Sequence, residues 1–223
     1  MSLPLEGFEY LEDALKLQFS EMFRPRAEHA LAAIRSVHWD GTIRPRVIAN
    51  DANLSRTRDG CYDQGQNSLW ISPEGPYPES TFIHEVAHVL DSLAISGRSS
   101  CTVFGRSLEG WRGAVVFKRS YAWLKHLEES ATVRLYGCGR WVGQAKTSDT
   151  QDHVEYLLDW GELSARPYYQ WVAIMSDDRL LLRQLNRIRG DLDGITVNCQ
   201  WAAEDFEEVS RSLDGVFEAM QYM

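Results

Sequence analysis

Two histidines and a glutamate stand together in the segment His84-Glu85-Val86-Ala87-His88. On a helix, residues four apart lie on one face one turn apart, so both imidazoles would project together. Two neutral imidazoles at this spacing can hold one Zn²⁺ per chain, each through a ring nitrogen about 2.0–2.1 Å from the metal. Glu85, rotated by about 100° from His84, would reach a water on the metal instead of the metal. The pattern predicts hydrolysis in which Glu85 takes a proton from that water and returns it to the leaving group.

Asp91 falls on the same helical face, three residues after His88 and seven after His84. Its carboxylate could accept a hydrogen bond from the free ring nitrogen of a ligand histidine and so fix its tautomer. It could also be a metal ligand itself. The apolar residues between and after the histidines predict that this helix is buried. Two buried histidines need a partner, and a metal supplies one.

A catalytic zinc site usually has three protein ligands and one open position, so a third ligand must lie elsewhere in the chain. The residues directly after His88 include no further histidine. The carboxylates considered for this position are Glu162, Glu109, Glu128, Glu129 and Asp91. Glu162 is favoured because it opens a predicted helix on which Ala165 follows at i+3. A small residue there would let this helix approach the histidine helix closely.

The elements that would position these residues follow from the spacing of apolar side chains. Helical spacing predicts helices at residues 8–23, 27–37, 80–95, 121–136, 161–175, 177–189 and 202–220. Strands are predicted at 46–49 and 67–72, with a polar loop or hairpin at 50–66 between them. Together these elements predict one α+β domain over residues 1–223. The domain is mostly helical, with an N-terminal helical segment at 1–40 and a C-terminal one at 176–223.

Composition limits the class of protein and of partner. The 223 residues are 44% hydrophobic and 25% charged, which are ordinary values for a globular protein. A net charge of -9 disfavours nucleic acid as a partner. No apolar run is long enough for a membrane span, and the N-terminus lacks a secretory signal, so a cytoplasmic location is expected, with signal-independent export open. The four cysteines are far apart and are expected to be reduced thiols.

Two segments resemble motifs of gluzincin-type zinc metallopeptidases. The first runs from His84 to Asp91 and matches the pattern His-Glu-x-x-His-x-x-Asp. The second, Tyr156 followed by Glu162-Leu163-Ser164-Ala165-Arg166, is similar to a Tyr followed by Glu-x-x-Ala-Arg and aromatic residues. That motif occurs in anthrax lethal-factor-like peptidases and in metallopeptidase domains attached to phage and mobile-element proteins. The resemblance covers about residues 69–172 and departs from the family pattern at Ser164 and Pro167.

The resemblance implies a zincin-like fold, with a small mixed sheet on the metal-binding helix and further helices C-terminal to it. It also implies that His84, His88 and Glu162 are the zinc ligands and that Glu85 is the general base. The phenol of Tyr156 would stabilise the oxyanion of the tetrahedral intermediate.

Two further expectations concern oxyanion stabilisation and the substrate. His153 is a second candidate for the oxyanion contact. The resemblance implies that the strand before the metal helix, residues 67–72, is the edge to which a protein or peptide substrate adds as another strand. Trp70 on that strand would line the substrate cleft.

The leading interpretation is therefore a zinc metalloendopeptidase. One alternative is a catalytically silent, metal-stabilised binding or structural protein of phage or effector origin. The intact Glu85 argues against it, because a decayed site would have little need of a base. Another alternative is a zinc hydrolase that acts on a non-peptide bond. The sequence leaves the oligomeric state open.

Overall fold

The structure of the protein is a computed structural model, which describes residues 15–38, 47–51, 59–91, 119, 122–123, 125–127, 129–130, 156–157, 159–190 and 200–220. Its elements are β1 (Leu15–Leu17), α1 (Arg24–Val37), β2 (Val47–Asp51), β3 (Gly60–Asp63), β4 (Ser68–Ile71), α2 (Pro78–Leu90), α3 (Trp160–Met175), α4 (Arg179–Gly190) and α5 (Ala203–Met220). Residues 122–123, 125–127 and 129 are helical as well. A mostly helical α+β architecture with a small mixed sheet is confirmed.

The described strands form one four-stranded sheet in the order β1-β2-β4-β3. β1 pairs with β2 in parallel, and so does β4, with Ile48 opposite Ser68. β3 runs antiparallel to β4 in a hairpin. Asn67 ends the turn of this hairpin with a φ of 51°, a conformation that Asn tolerates better than most residues, and its side chain accepts a hydrogen bond from the Tyr62 hydroxyl at 3.0 Å.

Helix α2 lies at the centre of the fold. Pro78 occupies its first turn, where the missing N–H costs nothing. Phe82, Ile83, Val86 and Val89 recur at helical spacing and are fully buried in the core. Helices α1 and α3 also pack against α2, so only a narrow part of the surface of α2 faces the cavity described below.

A buried polar network fastens the first turn of α2. The Glu79 carboxylate accepts hydrogen bonds from Arg26 Nε of α1 and from Gln184 Nε2 of α4, both at 2.8 Å. The Ser80 hydroxyl donates to the Oε1 atom of Gln184. Since Glu79 is buried, these bonds compensate the cost of removing its charge from water and fix α2 against two other helices.

The prediction of a helix over residues 8–23 was wrong at its described end. Residues 15–17 form strand β1, in which Leu15 pairs with Val47 and Leu17 with Ala49, and residues 18–23 are not helical. Phe19 and Phe23 still enter the core, which explains their apolar spacing. Pairing with β2 satisfies the main chain of this segment while Leu15 is buried, so the tertiary contact overrides the local pattern.

The prediction that residues 67–72 form the edge of the sheet was also wrong. β4 lies between β2 and β3, because the hairpin places β3 outside it. The structure agrees more closely with the other predicted elements where it describes them. Helix α3 continues through Pro167, and the predicted strand 46–49 corresponds to β2. No helix of the described ranges is long and apolar enough to cross a bilayer.

Candidate metal centre

Three side chains that could bind a metal meet between α2 and α3. His84 Nε2 lies 3.2 Å from Nε2 of His88, which is one turn later on the same helix. The Glu162 carboxylate of α3 places Oε2 3.2 Å from His84 Nε2 and Oε1 3.4 Å from His88 Nε2. Among the described residues, these three form the group that could hold a metal ion.

The spacing of these atoms fits zinc. A tetrahedron with metal–ligand bonds of about 2.0–2.1 Å has edges of about 3.3–3.4 Å. The two imidazole nitrogens are 3.2 Å apart, and they lie 3.2 and 3.4 Å from the two different oxygens of the Glu162 carboxylate, so each separation is close to one edge of such a tetrahedron. Two imidazole nitrogens and one carboxylate are also a donor set that zinc accepts in catalytic sites. The residues therefore fit a zinc ion with one position open to a water or substrate.

Glu162 reaches the histidines because α3 begins directly beside α2. The Asp159 side chain caps α3 by accepting a hydrogen bond from the Gly161 N–H at 2.9 Å, which places Glu162 in the first turn. Gly161 lies against the His88 ring, since a Cβ atom there would be 3.6 Å from its Cε1. Ala165 is completely buried one turn later. The small size of Gly161 thus allows the start of α3 to lie close to His88.

The charges of this group are strongly coupled. Burial alone would raise the pKa of Glu162, but hydrogen bonds and charge from His84 and His88 outweigh it and lower that pKa far below its usual range. Burial alone would lower the pKa of His88, but the Glu162 hydrogen bond and nearby carboxylates raise it instead. Glu162 is thus ionised at neutral pH, which is the form that binds a cation.

Glu85 lies beside this group without being part of it. The residue is 6% exposed, and its carboxylate accepts a hydrogen bond from the main-chain N–H of Tyr62 on β3. Burial raises the pKa of Glu85, while the charges of His84 and His88 and the Tyr62 N–H oppose the shift. A raised pKa makes the carboxylate a stronger base, as proton abstraction from water requires.

Tyr156 approaches the same carboxylate from outside α3. The residue is 51% exposed, and its hydroxyl forms a hydrogen bond with Glu162. Desolvation of the phenol and the neighbouring negative charge of Glu162 raise its pKa above the usual value. The phenol therefore stays protonated and can donate a hydrogen bond.

A cavity of about 810 Å³ opens over these groups. Its lining includes His84, Glu85, His88, Tyr156 and Glu162 and continues to Ser80 and Thr81 of α2 and to Tyr169 and Ile188. Gly60 and Tyr62 of β3 line it as well. The cavity is large enough for several residues of an extended peptide.

The other residues singled out from the sequence lie in different places. Asp91 is buried at the end of α2, and its charge contributes to the raised pKa of His88. Glu129 is 53% exposed at its side chain and lies 3.7 Å from Lys125, so its position does not favour a role as a ligand. Glu109, Glu128 and His153 lie outside the described residues.

Trp70 lies away from these groups. Leu69 and Ile71 on either side of it are fully buried, and side chains alternate along a strand, so Trp70 projects from the opposite face of the sheet. It is not among the described residues that line the cavity.

Arg166 and Gly60 contribute to the site although the sequence reasoning gave neither a role. The buried Arg166 guanidinium donates to the carbonyl oxygens of Leu157 and, at 3.2 Å, Glu162, and it lies 5.3 Å from the Trp201 ring centre. It thus ties the segment that carries Tyr156 to the start of α3. Its place in the second motif was the available signal. The sequence contains no such signal for Gly60, because the role of this residue depends on contacts with residues that are distant in sequence.

Comparison of this chain with protein-family models, curated proteins and solved structures found no match.

Proposed function

We propose that the protein is a zinc-dependent metallopeptidase of the gluzincin kind. The supporting observation is the group of His84 Nε2, His88 Nε2 and the Glu162 carboxylate, whose nearest atoms are 3.2–3.4 Å apart in each pair, on the wall of a peptide-sized cavity. Glu85 lines the same cavity as a buried carboxylate of raised pKa. Three ligands and a separate base are the set that metal-assisted hydrolysis requires.

Each side chain would have one task in the reaction. When bound, zinc supplies a polarised water and a Lewis acid for the scissile carbonyl. Glu85 accepts a proton from the attacking water at its carboxylate and passes it to the leaving nitrogen. Tyr156 donates its phenolic hydrogen bond to the oxygen on which negative charge develops. The Glu162 carboxylate then gives up its contact with that phenol.

The substrate class rests on strand β3. In the described sheet β3 has a neighbour on one side only. Ser72 N–H donates to the Asp59 carbonyl at 2.7 Å, and antiparallel strands alternate, so the main-chain groups of Gly60 and Tyr62 point away from β4. Because the Tyr62 N–H donates to Glu85, an extended peptide would pair with this edge through the main-chain groups of Gly60, beside the cavity. Protein or peptide substrates follow from that arrangement.

The test compares the zinc-loaded wild type with Glu85→Gln on unfolded casein and a mixed peptide library, with cleavage followed by mass spectrometry. We expect the wild type to cleave and a chelator to stop it. Glu85→Gln should lower turnover by about 10²–10⁴-fold while one zinc per chain is retained. Turnover near the wild-type level in Glu85→Gln would contradict the role of the base. Zinc binding without cleavage of any peptide would contradict the peptidase and favour a non-peptide hydrolase or a silent site.

A further inference from the structure

Gly60 of β3 lies against the side of α2 that carries Glu85. A Cβ atom on this residue would lie 2.8 Å from both Cγ and Oε1 of Glu85. It would also lie 2.6 Å from Cγ2 of Thr81, one turn earlier on α2. Such distances are too short for carbon, so any side chain at position 60 would displace its neighbours.

The Glu85 carboxylate has little room to move aside. It is buried in the contact between α2 and β3, and the main-chain N–H of Tyr62 donates a hydrogen bond to it. That N–H points away from β4, so it costs the sheet no ladder bond. Two residues of strand β3 therefore constrain the Glu85 carboxylate. Gly60 has no side chain and leaves room for it, and the Tyr62 N–H donates a hydrogen bond to it.

We propose that β3 positions the general base, with Gly60 providing the space for the Glu85 side chain and the Tyr62 main-chain N–H fixing its carboxylate. The proposal rests on the proposed function and deepens it. In this arrangement Gly60 is a positioning residue that acts through Glu85. The strand offered to the substrate and the strand that holds the base are then the same, so the base has a defined place relative to a bound peptide.

The first test is Gly60→Ala, with Gly65→Ala as the matched control. Gly65 lies in the turn of the same hairpin, where a Cβ would meet only Asp63 Oδ1 at 3.2 Å. Displacement of a catalytic group by about 1 Å can cost about 10²-fold, so Gly60→Ala should lower kcat by about that factor with little change in KM. Its zinc content should stay at the wild-type value, because the atoms nearest to a Cβ at position 60 belong to Glu85 and Thr81. Wild-type kcat in Gly60→Ala would overturn the proposal.

A third variant separates displacement of Glu85 from general disturbance of α2. Thr81→Ser removes Cγ2 but can keep the hydroxyl bond to the Tyr77 carbonyl, which is 3.0 Å long. In Gly60→Ala/Thr81→Ser the collision with Thr81 is gone while that with Glu85 remains. We expect thermal stability to recover in part and kcat to stay low. Recovery of kcat to the Thr81→Ser level would overturn the proposal.

A measurement without hydrolysis keeps the inference separate from the proposed function. In the Thr81→Ser background, urea unfolding of metal-free protein is measured for Gly60→Ala, Glu85→Ala and their combination. If Gly60 makes room for Glu85, Gly60→Ala should shift the unfolding midpoint less once Glu85→Ala has removed that side chain. Equal shifts in both backgrounds would overturn the inference. A positive coupling in a protein that cleaves nothing would support the contact and contradict only the peptidase.

Discussion

His84 Nε2 and Glu162 Oε2 lie 3.2 Å apart, although the two residues belong to different helices. The contact unites the two segments that carry the chemically informative residues of this chain. A buried carboxylate between two imidazoles can be stabilised by protons on the rings or by a metal, and the metal satisfies all three groups at once. This single relationship underlies the proposal of a metal centre.

The third ligand can be tested by the zinc content of Glu162→Ala. Loss of a residue that only supports a ligand usually weakens metal binding by about 10–100-fold, so loss of a ligand should weaken it by more than about 100-fold. Glu129→Ala is the matched control, because that carboxylate is exposed and lies beside Lys125. Elemental analysis and a competition titration would measure both. Wild-type zinc affinity in Glu162→Ala would exclude Glu162 as a ligand.

Tyr156→Phe should lower kcat by about 10²-fold, because a hydrogen-bond donor to the oxyanion is lost, and should leave the zinc content unchanged. Tyr168→Phe provides the comparison, since its hydroxyl lies 2.7 Å from His38 Nε2 in the core. Removal of that hydroxyl should cost about 1 kcal/mol of unfolding free energy without changing kcat. Steady-state kinetics with the best peptide would show the difference. Equal kcat in Tyr156→Phe and wild type would leave Tyr156 without a catalytic role.

The network around Glu79 should contribute strongly to stability. Glu79→Ala leaves the buried Gln184 amide and the Arg26 guanidinium without their shared acceptor, which should cost about 2–4 kcal/mol of unfolding free energy. Glu207→Ala breaks an ion pair with Arg211 of similar length, 2.7 Å, but on the surface of α5, so its cost should stay below about 1 kcal/mol. Urea denaturation measures both. Similar losses in the two variants would show that the Glu79 network does not fasten α2.

Asp178 should make stability depend on pH. Its Oδ1 accepts the N–H groups of Leu180 and Leu181 at the start of α4, both at 2.9 Å, and its Oδ2 lies 3.1 Å from His29 Nε2. Partial burial alone would raise the pKa of Asp178, but these hydrogen bonds lower it. A lowered pKa means that the stabilisation is present above the ordinary Asp pKa of about 3.9 and is lost as the pH falls through the folded-state value.

The substitution Asp178→Ala should therefore lower the free energy of unfolding by about 1 kcal/mol at neutral pH. The difference in unfolding free energy between this variant and the wild type should become smaller below about pH 5. Asp177→Asn is the control, because Asp177 is exposed with a φ of 51° that Asn tolerates. Urea unfolding of both variants and of the wild type is measured between pH 3 and 7. A gap for Asp178→Ala that is constant over this range would contradict the assigned charge effect.

The local spacing of apolar residues predicted correctly those elements in which buried positions recur at a regular period. Helix α2 alternates buried apolar residues with His84 and His88 at the helical period, and α5 carries a similarly continuous apolar face, so both were evident in the sequence. The prediction was wrong for residues 15–17, because their apolar spacing suits a helix or a strand equally well. Only the partner strand β2 determines which one forms.

The edge of the sheet could not be derived in the same way. Strand β3, Gly60–Asp63, is short and polar, and nothing in its own residues predicts that it lies outside β4. Hairpin pairing determines that order, and with it the strand that faces the cavity. The role of Gly60 follows from the same contact and was therefore invisible to pattern reasoning.

The sequence by itself determined the types of the candidate ligands and the spacing of the two histidines, because a helix places residues four apart on one face whatever surrounds it. Only the tertiary structure decided that Glu162 meets them, that Tyr62 and Gly60 contact Glu85, and that β3 lies at the end of the described sheet. These relationships join segments that are distant along the chain. Their geometry depends on how the helices and the sheet pack against each other, and the spacing of residue types within one element contains no information about that packing.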